Sequence, residues 1–326
     1  MTAIVQHHTH PTMAIAIKAI LRDDDCDFDV DSYDFTVPRD DTDIVLVSGD
    51  KPESEAKAFY VHRAVLGAGS PFFRDMFGLP QPAGQDARPR IQLTEPHAVL
   101  SLLLRLVYPV PKPPINRKTL PVPALAEVLG AAAKYDLTFP LAYLRGIIVT
   151  PGAGYLEEDA TRVYAVACRY GLENEAREAM RWAVRRGVEV GSMPLEDEWR
   201  WVSAWEYRKL ERWVGHRRRQ VVELVERSYS DADAQEDAGH RPPKCVQCNG
   251  SAFTVKEEPK WWPEYVRRVA DPKLGTDRIF EMDFLADVVN EAGCPRCAAS
   301  VLGAAGFLLR LQRAVAAIVG GASEPS

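Results

Sequence analysis

The stretch Phe59-Tyr-Val-His62-Arg-Ala-Val65-Leu66-Gly-Ala-Gly-Ser70-Pro-Phe72-Phe73-Arg-Asp-Met76-Phe77 decides the fold of this chain. It begins inside Ala58-Phe-Tyr-Val61, a short apolar run with the composition of a strand. It ends on a helix that opens at Ser70-Pro71. There the serine hydroxyl can cap the first turn, and proline fits the first helical position because its missing N–H would have no partner. Upstream, Ile44-Val-Leu-Val47 is a second apolar run, and Gly49-Asp-Lys-Pro52 between the runs is turn chemistry, so the two should pair as a hairpin. Downstream, Leu79-Pro-Gln-Pro-Ala-Gly84 is a loop, and Ile91 and Leu93 alternate with polar neighbours as a third short strand. Thr94-Glu-Pro96 then opens a helix with apolar positions Val99, Leu100, Leu103, Leu104 and Val107. Pro109 stops it. Further helical faces follow at Leu125, Val128, Leu129, Ala132 and Tyr135, and at Leu141, Leu144 and Ile148. The fold class is α+β, with Val65, Leu66, Phe73, Met76, Leu103 and Leu104 expected in the core.

From Ala160 onward the strand signals disappear. Val163, Val166, Ala167 and Tyr170 form one helical stripe ended by Gly171; Leu172, Ala176, Ala179 and Ala183 form another ended by Gly187. Ser203-Ala-Trp-Glu206 is a capping box ahead of a long charged helix. Ser228 to Lys244 is polar and acidic and reads as linker. The organisation expected is a leader over 1–40 and an α+β domain over 41–150. A helical extension follows over 151–228, then a linker over 229–244. A C-terminal segment over 245–326 carries two Cys-x-x-Cys pairs and a final helix.

Composition sets outer limits. The 326 residues are 46% hydrophobic and 26% charged, with 40 Lys+Arg against 46 Asp+Glu and a net charge of −6. A chain-wide basic field for nucleic acid is absent. The most apolar late stretch, Val301–Val319, is interrupted by Arg310, Gln312 and Arg313, so no membrane-spanning helix is expected. Residues 1–22 lack acids, but Lys18 interrupts their apolar run, which argues against a secretory signal. They read as a leader, with His7, His8 and His10 in a solvated tail. The localisation expected is cytoplasmic or nuclear.

The motifs quoted above resemble the BTB/POZ domain. The strand running into His62-Arg-Ala-Val65-Leu66, then Ser70, the paired phenylalanines and Met76-Phe77, is similar to the family's most recognisable stretch. Asp43-Ile-Val-Leu resembles its opening strand. Ile91-Gln-Leu93 through Tyr108 resembles the strand and helix that follow, and Ala131-Ala-Ala-Lys134-Tyr135-Asp-Leu137 resembles a later helix. Gly78-Leu-Pro-Gln-Pro82, Leu106-Val-Tyr-Pro-Val-Pro111 and the stretch from Val163 to Glu173 are similar to the variant abundant in mushroom-forming fungi. The resemblance implies a small sheet flanked by helices and a protein–protein interaction adaptor. Self-association or docking onto a cullin-type ubiquitin ligase is the implied mode. The exchanged helix and strand that dimeric members carry have no close counterpart before Asp43, so a monomer or weak dimer is expected.

Six cysteines are present, four of them as Cys245-Val-Gln-Cys248 and Cys294-Pro-Arg-Cys297. Two-residue spacers let both sulfurs of a pair turn toward one ion, and four thiolates complete a tetrahedral shell, so Cys245, Cys248, Cys294 and Cys297 are expected to hold one structural zinc. Unliganded thiols and a redox dithiol are the competing readings. Two rival functions follow, a zinc-dependent transcriptional regulator if the knuckles hold zinc and a thiol oxidoreductase if they form a redox dithiol. The resemblance implies that His62, with Ser70 nearby, is a strand-to-helix junction residue and not a catalytic one; no nucleophile elbow, phosphate loop or His-Glu-x-x-His helix occurs, and no enzyme is expected. The basic run His216-Arg-Arg-Arg219 among glutamates reads as a solvated helix face, and Trp201, Trp205 and Trp213 read as packing anchors.

Overall fold

The computed structural model describes residues 33–49, 56–79, 88–230, 259–294 and 296–321. A three-stranded sheet in the order β2-β1-β3 forms from β1 (Ile44–Val47), β2 (Ala58–Val61) and β3 (Arg90–Gln92). β1 is buried at all four positions because it is the central strand, which explains its uninterrupted apolar sequence. β2 pairs with it antiparallel, Ile44 opposite Val61, and β3 parallel, Leu46 opposite Ile91. The expected hairpin is therefore present. The two chain exits at one end of the sheet meet closely: the Gly49 N–H donates to the Glu95 carbonyl at 3.0 Å, and a Cβ on Gly49 would lie 2.5 Å from the Leu93 oxygen.

Two short helices follow β2, α1 (Arg63–Gly69) and α2 (Pro71–Gly78). The sequence reading placed the helix start at Ser70, and α1 is an additional helix before it. Each sends one residue fully inward, Leu66 and Phe73, which leaves Val65 and Met76 half-buried instead of in the core. α3 (His97–Val107) runs through the core, with Leu102, Leu103, Leu104 and Leu106 buried. α4 (Val122–Lys134), α5 (Thr138–Ile148) and α6 (Tyr155–Arg169) pack in succession. Two tyrosines, Tyr155 buried and Tyr170 half-buried, tie this succession together: Tyr155 donates to the Leu120 carbonyl and Tyr170 to the Ala126 carbonyl, each at 2.7 Å.

Ordered chain reaches upstream of the sheet. Within the acidic stretch read as leader and linker, Phe35 is buried and meets Tyr108 edge-on at 4.8 Å, and its carbonyl accepts from Tyr60 N–H at 2.7 Å. That bond falls on β2, an edge strand whose outward groups need partners.

The chain divides into two compact units between Glu175 and Ala176, inside α7 (Glu173–Arg185). Glu175 closes the first unit, where Arg145 donates to it from Nε (2.8 Å) and Nη2 (3.2 Å). The second unit contains the rest of α7, α8 (Ala204–Ser230), α9 (Trp261–Val269), α10 (Met282–Glu291), α11 (Cys297–Gly303) and α12 (Ala305–Gly320). Gly171 and Gly187 terminate α6 and α7 with φ of 65° and 68°, as read from their positions. Ser203 caps α8, its Oγ accepting from Glu206 N–H at 3.1 Å.

The inward stripe of α8 runs through Leu210, Trp213, Val214, Val221 and Val225, and Arg217 lies within it, 4% exposed. Its Nη2 donates to the Gly321 carbonyl at 3.0 Å, at the end of α12, where a helix leaves its last carbonyls without intrahelical partners. Arg218 Nη2 donates to the carbonyls of Asp271 and Leu274 at 2.6 and 2.9 Å. The run read as a solvated face is thus, at these two positions, an internal clamp. The C-terminal elements therefore fold onto α8 within one unit. Of the three tryptophans read as anchors, Trp213 is buried, whereas Trp201 and Trp205 are 50% and 73% exposed. No single helix among the described residues is long and apolar enough to cross a membrane.

Candidate interaction surface

Ser70 makes two bonds that fix the first turn of α2. Its Oγ accepts from Phe73 N–H at 3.0 Å and donates to the Tyr135 carbonyl at 2.5 Å, joining residues 65 apart in sequence. With Pro71 at the first helical position, the turn directs Phe73 inward and leaves Phe72 at the surface, 39% exposed. Both rings contact Tyr135: Phe73 stacks on it at 5.3 Å and Phe72 meets it edge-on at 5.4 Å.

Tyr135 is itself anchored. Its hydroxyl donates to Glu95, whose other oxygen accepts from Lys134 Nζ at 2.7 Å. Burial alone would raise the Glu95 pKa, but the bonds from Lys134 and Tyr135 outweigh it and hold the carboxylate below its ordinary 4.5. Burial, and then the Glu95 carboxylate, push the Tyr135 hydroxyl upward, so it remains a donor at neutral pH. At this corner Asp136 adopts a positive φ of 46°. In the first turn of α5, Phe139 follows, 52% exposed and stacked on Tyr143 at 5.9 Å. Lys112 Nζ lies 5.6 Å from the Phe139 ring and donates to the carbonyls of Arg105, Leu106 and Tyr108. Its cation completes the C-terminus of α3, where the helix dipole favours positive charge; burial depresses its pKa.

Two phenylalanines are thus left exposed, Phe72 on α2 against the buried Tyr135 and Phe139 in the first turn of α5 against Tyr143. Aromatic residues, phenylalanine among them, are enriched at protein interfaces. Sequence reading missed them as a pair. It placed Phe72 only as half of an aromatic doublet, and the inward turn of Phe73 depends on the Ser70 cap.

His62 stands at the junction of β2 and α1, where the sequence placed it. Its N–H donates to the Tyr108 hydroxyl at 2.7 Å, its Nδ1 lies 3.0 Å from that hydroxyl, and its Nε2 lies 3.3 Å from Asp41. Every contact named here ties strand, helix and upstream arm together. Ser70, the nearby hydroxyl, is committed instead to Tyr135 and Phe73.

The sheet order, the strand-to-helix junction at His62 and the capped α2 now have a family to set beside them. The family model of the BTB/POZ domain matches residues 35–142. This segment is a BTB/POZ domain. No curated protein matches the chain. The matched span begins at Phe35, the buried residue that packs on Tyr108. BTB/POZ domains are protein-interaction domains, generally non-enzymatic.

Of the cysteines expected to hold zinc, Cys294 and Cys297 are both buried at the start of α11, and the Cys297 N–H donates to the Cys294 carbonyl at 3.1 Å. Cys245 and Cys248 lie outside the described residues, as do His7, His8 and His10. Among the described residues alone, no three His, Cys, Asp or Glu side chains gather as metal ligands.

Proposed function

We propose that this chain is a non-enzymatic adaptor whose BTB/POZ domain binds another protein through the surface around Phe72 and Phe139. The observation that carries the reading is the exposure of these two rings within the matched BTB/POZ domain. A cullin-type ubiquitin ligase scaffold is the partner class put forward, with a second copy of the domain as the other. Replacing both rings, Phe72→Asp with Phe139→Asp, adds charge at exposed positions and should leave the fold intact. Titration calorimetry against a purified cullin N-terminal domain should give binding for the native chain and at least about tenfold weaker binding for the double variant. Native protein that neither binds the cullin domain nor self-associates would overturn the reading.

A structural zinc on Cys245, Cys248, Cys294 and Cys297 is the second proposal. It is supported by two buried thiols brought together on one tight turn. A closed four-thiolate shell leaves no position for water, so such an ion would stabilise and not catalyse. Metal analysis of purified chain should give one zinc, lost in Cys294→Ala. Metal-free protein with native helicity would reject it.

A further inference from the structure

The solvent-facing sides of α10 and α12 carry opposite charge. On α12, Phe307, Leu308, Leu311, Val315 and Val319 face inward. The outward arc is made of Leu309, Arg310, Arg313 and small residues such as Ala305, Ala316 and Ala317. From Ala292 to Gly321 the chain contains three arginines and no Asp or Glu, although the whole protein carries −6. On α10, Phe284, Leu285, Val288 and Val289 face inward, and the outward arc holds Met282, Asp283, Ala286, Asp287 and Asn290. Asp283 lies 3.9 Å from Arg278 with both side chains largely exposed, a weak and screened pair. Among the described residues, Asp287, Arg310 and Arg313 form no ion pair.

We propose that the second units of two copies associate through these faces, α12 of one copy lying against α10 of another. Each face supplies what the other lacks. Arg310 and Arg313 are about 4.5 Å apart along their axis and Asp283 and Asp287 about 6 Å, a match that lets both pairs form together. The small residues of α12 permit close helix approach, and Met282 and Leu309, 63% and 48% exposed, gain cover. Pairing α12 with its own copy would set arginine against arginine. A lipid surface fits less well, because interfacial helices present bulky apolar side chains and this arc offers one leucine among small residues. A 16-residue helix is about 24 Å long, so one such contact buries less than the roughly 800 Å² per partner of a standard interface. The association is therefore weak and weakens with salt. Unlike faces can also repeat head to tail, so mass should grow with concentration.

The surface lies outside the BTB/POZ domain and is tested separately from it. Sedimentation of the full chain is followed up to about 100 µM, a range that reads weak association. Arg310→Glu with Arg313→Glu should weaken association by about tenfold or more, as should Asp283→Lys with Asp287→Lys. All four positions are exposed, and circular dichroism confirms that the variants stay folded. Mixing the two variants should restore association to within a few-fold, because the reversed faces complement each other. Association that ignores both reversals belongs to the BTB/POZ domain and overturns the proposal. So does a native chain that stays monomeric throughout, a failure to recover on mixing, or capture by anionic vesicles without self-association.

Discussion

Replacing Ser70 with alanine removes one oxygen that serves two elements at once. The hydroxyl caps α2 through Phe73 N–H and satisfies the Tyr135 carbonyl at the end of α4, and the residue is fully buried, so water cannot take its place. Loss of an N-cap oxygen costs about 1 kcal/mol. Leaving a buried carbonyl unsatisfied costs about 1–3 kcal/mol more. The sum is about 2–4 kcal/mol, to be read on the first unit alone because two units need not unfold together. With an m-value near 2 kcal/mol/M, the urea midpoint of the exchange-protected core of β1 and α3 should fall by about 1–2 M. Hydrogen exchange read by mass spectrometry along the urea series separates the units by peptide. The amides of α2 should lose protection first, and Phe72 should lose its fixed position with them, so partner binding falls more steeply than stability. A midpoint shift under about 0.3 M would refute the reasoning, since it would mean that the capping bond and the Tyr135 bond are not coupled to burial.

Three other outcomes are expected. Leu103→Asp places an unpaired carboxylate in the middle of α3 and should abolish the cooperative unfolding of the first unit, measured by near-ultraviolet circular dichroism. Gly187→Ala combines a positive φ of 68° with a Cβ only 2.5 Å from the Lys273 oxygen. It should destabilise the second unit by at least about 1–2 kcal/mol, seen as a lower melting temperature, while leaving the first unit unchanged. Glu95 titrates below its ordinary 4.5 in the folded protein, so its contribution is present above pH 4.5 and is lost as pH falls through the lower folded value. Glu95→Gln should flatten the acid limb of stability against pH in that window; an unchanged slope would place the effect on other carboxylates.

The elements that were legible in the sequence are those whose signals are local. Ile44–Val47 announces a strand by its continuous apolar run, though not its central place, and Ser70-Pro71, Gly171 and Gly187 announce helix ends by backbone demands that no other residue meets as well. The misreadings share one cause, dependence on distant partners. Arg217 and Arg218 look solvated among glutamates because their acceptors, the carbonyls of Gly321, Asp271 and Leu274, are 53 to 104 residues away. Trp201 and Trp205 have the composition of anchors, but only the packing of α8 decides that Trp213 alone turns inward. The helix α1 was hidden because Gly67 and Gly69 have low helix propensity, which the burial of Leu66 overrides. The candidate surface was half visible: the aromatic doublet is in the sequence, but its division into one buried and one exposed ring follows from the Ser70 cap of α2.

The arginine clamp of α8 also bears on how this protein should be dissected. Arg217 and Arg218 bind backbone carbonyls that belong to the last sixty residues, so those residues are a structural complement to α8. A deletion that stops after residue 230 leaves Arg217 buried beside Trp213 without its Gly321 acceptor and strips cover from Val221 and Val225. Loss of a phenotype in such a truncation would measure the collapse of a half-built helical unit. Deletion mapping that ends near Ser230 would then mix that collapse with the loss of the α10 and α12 faces themselves, whereas point changes at exposed positions keep the unit whole and report on surfaces alone.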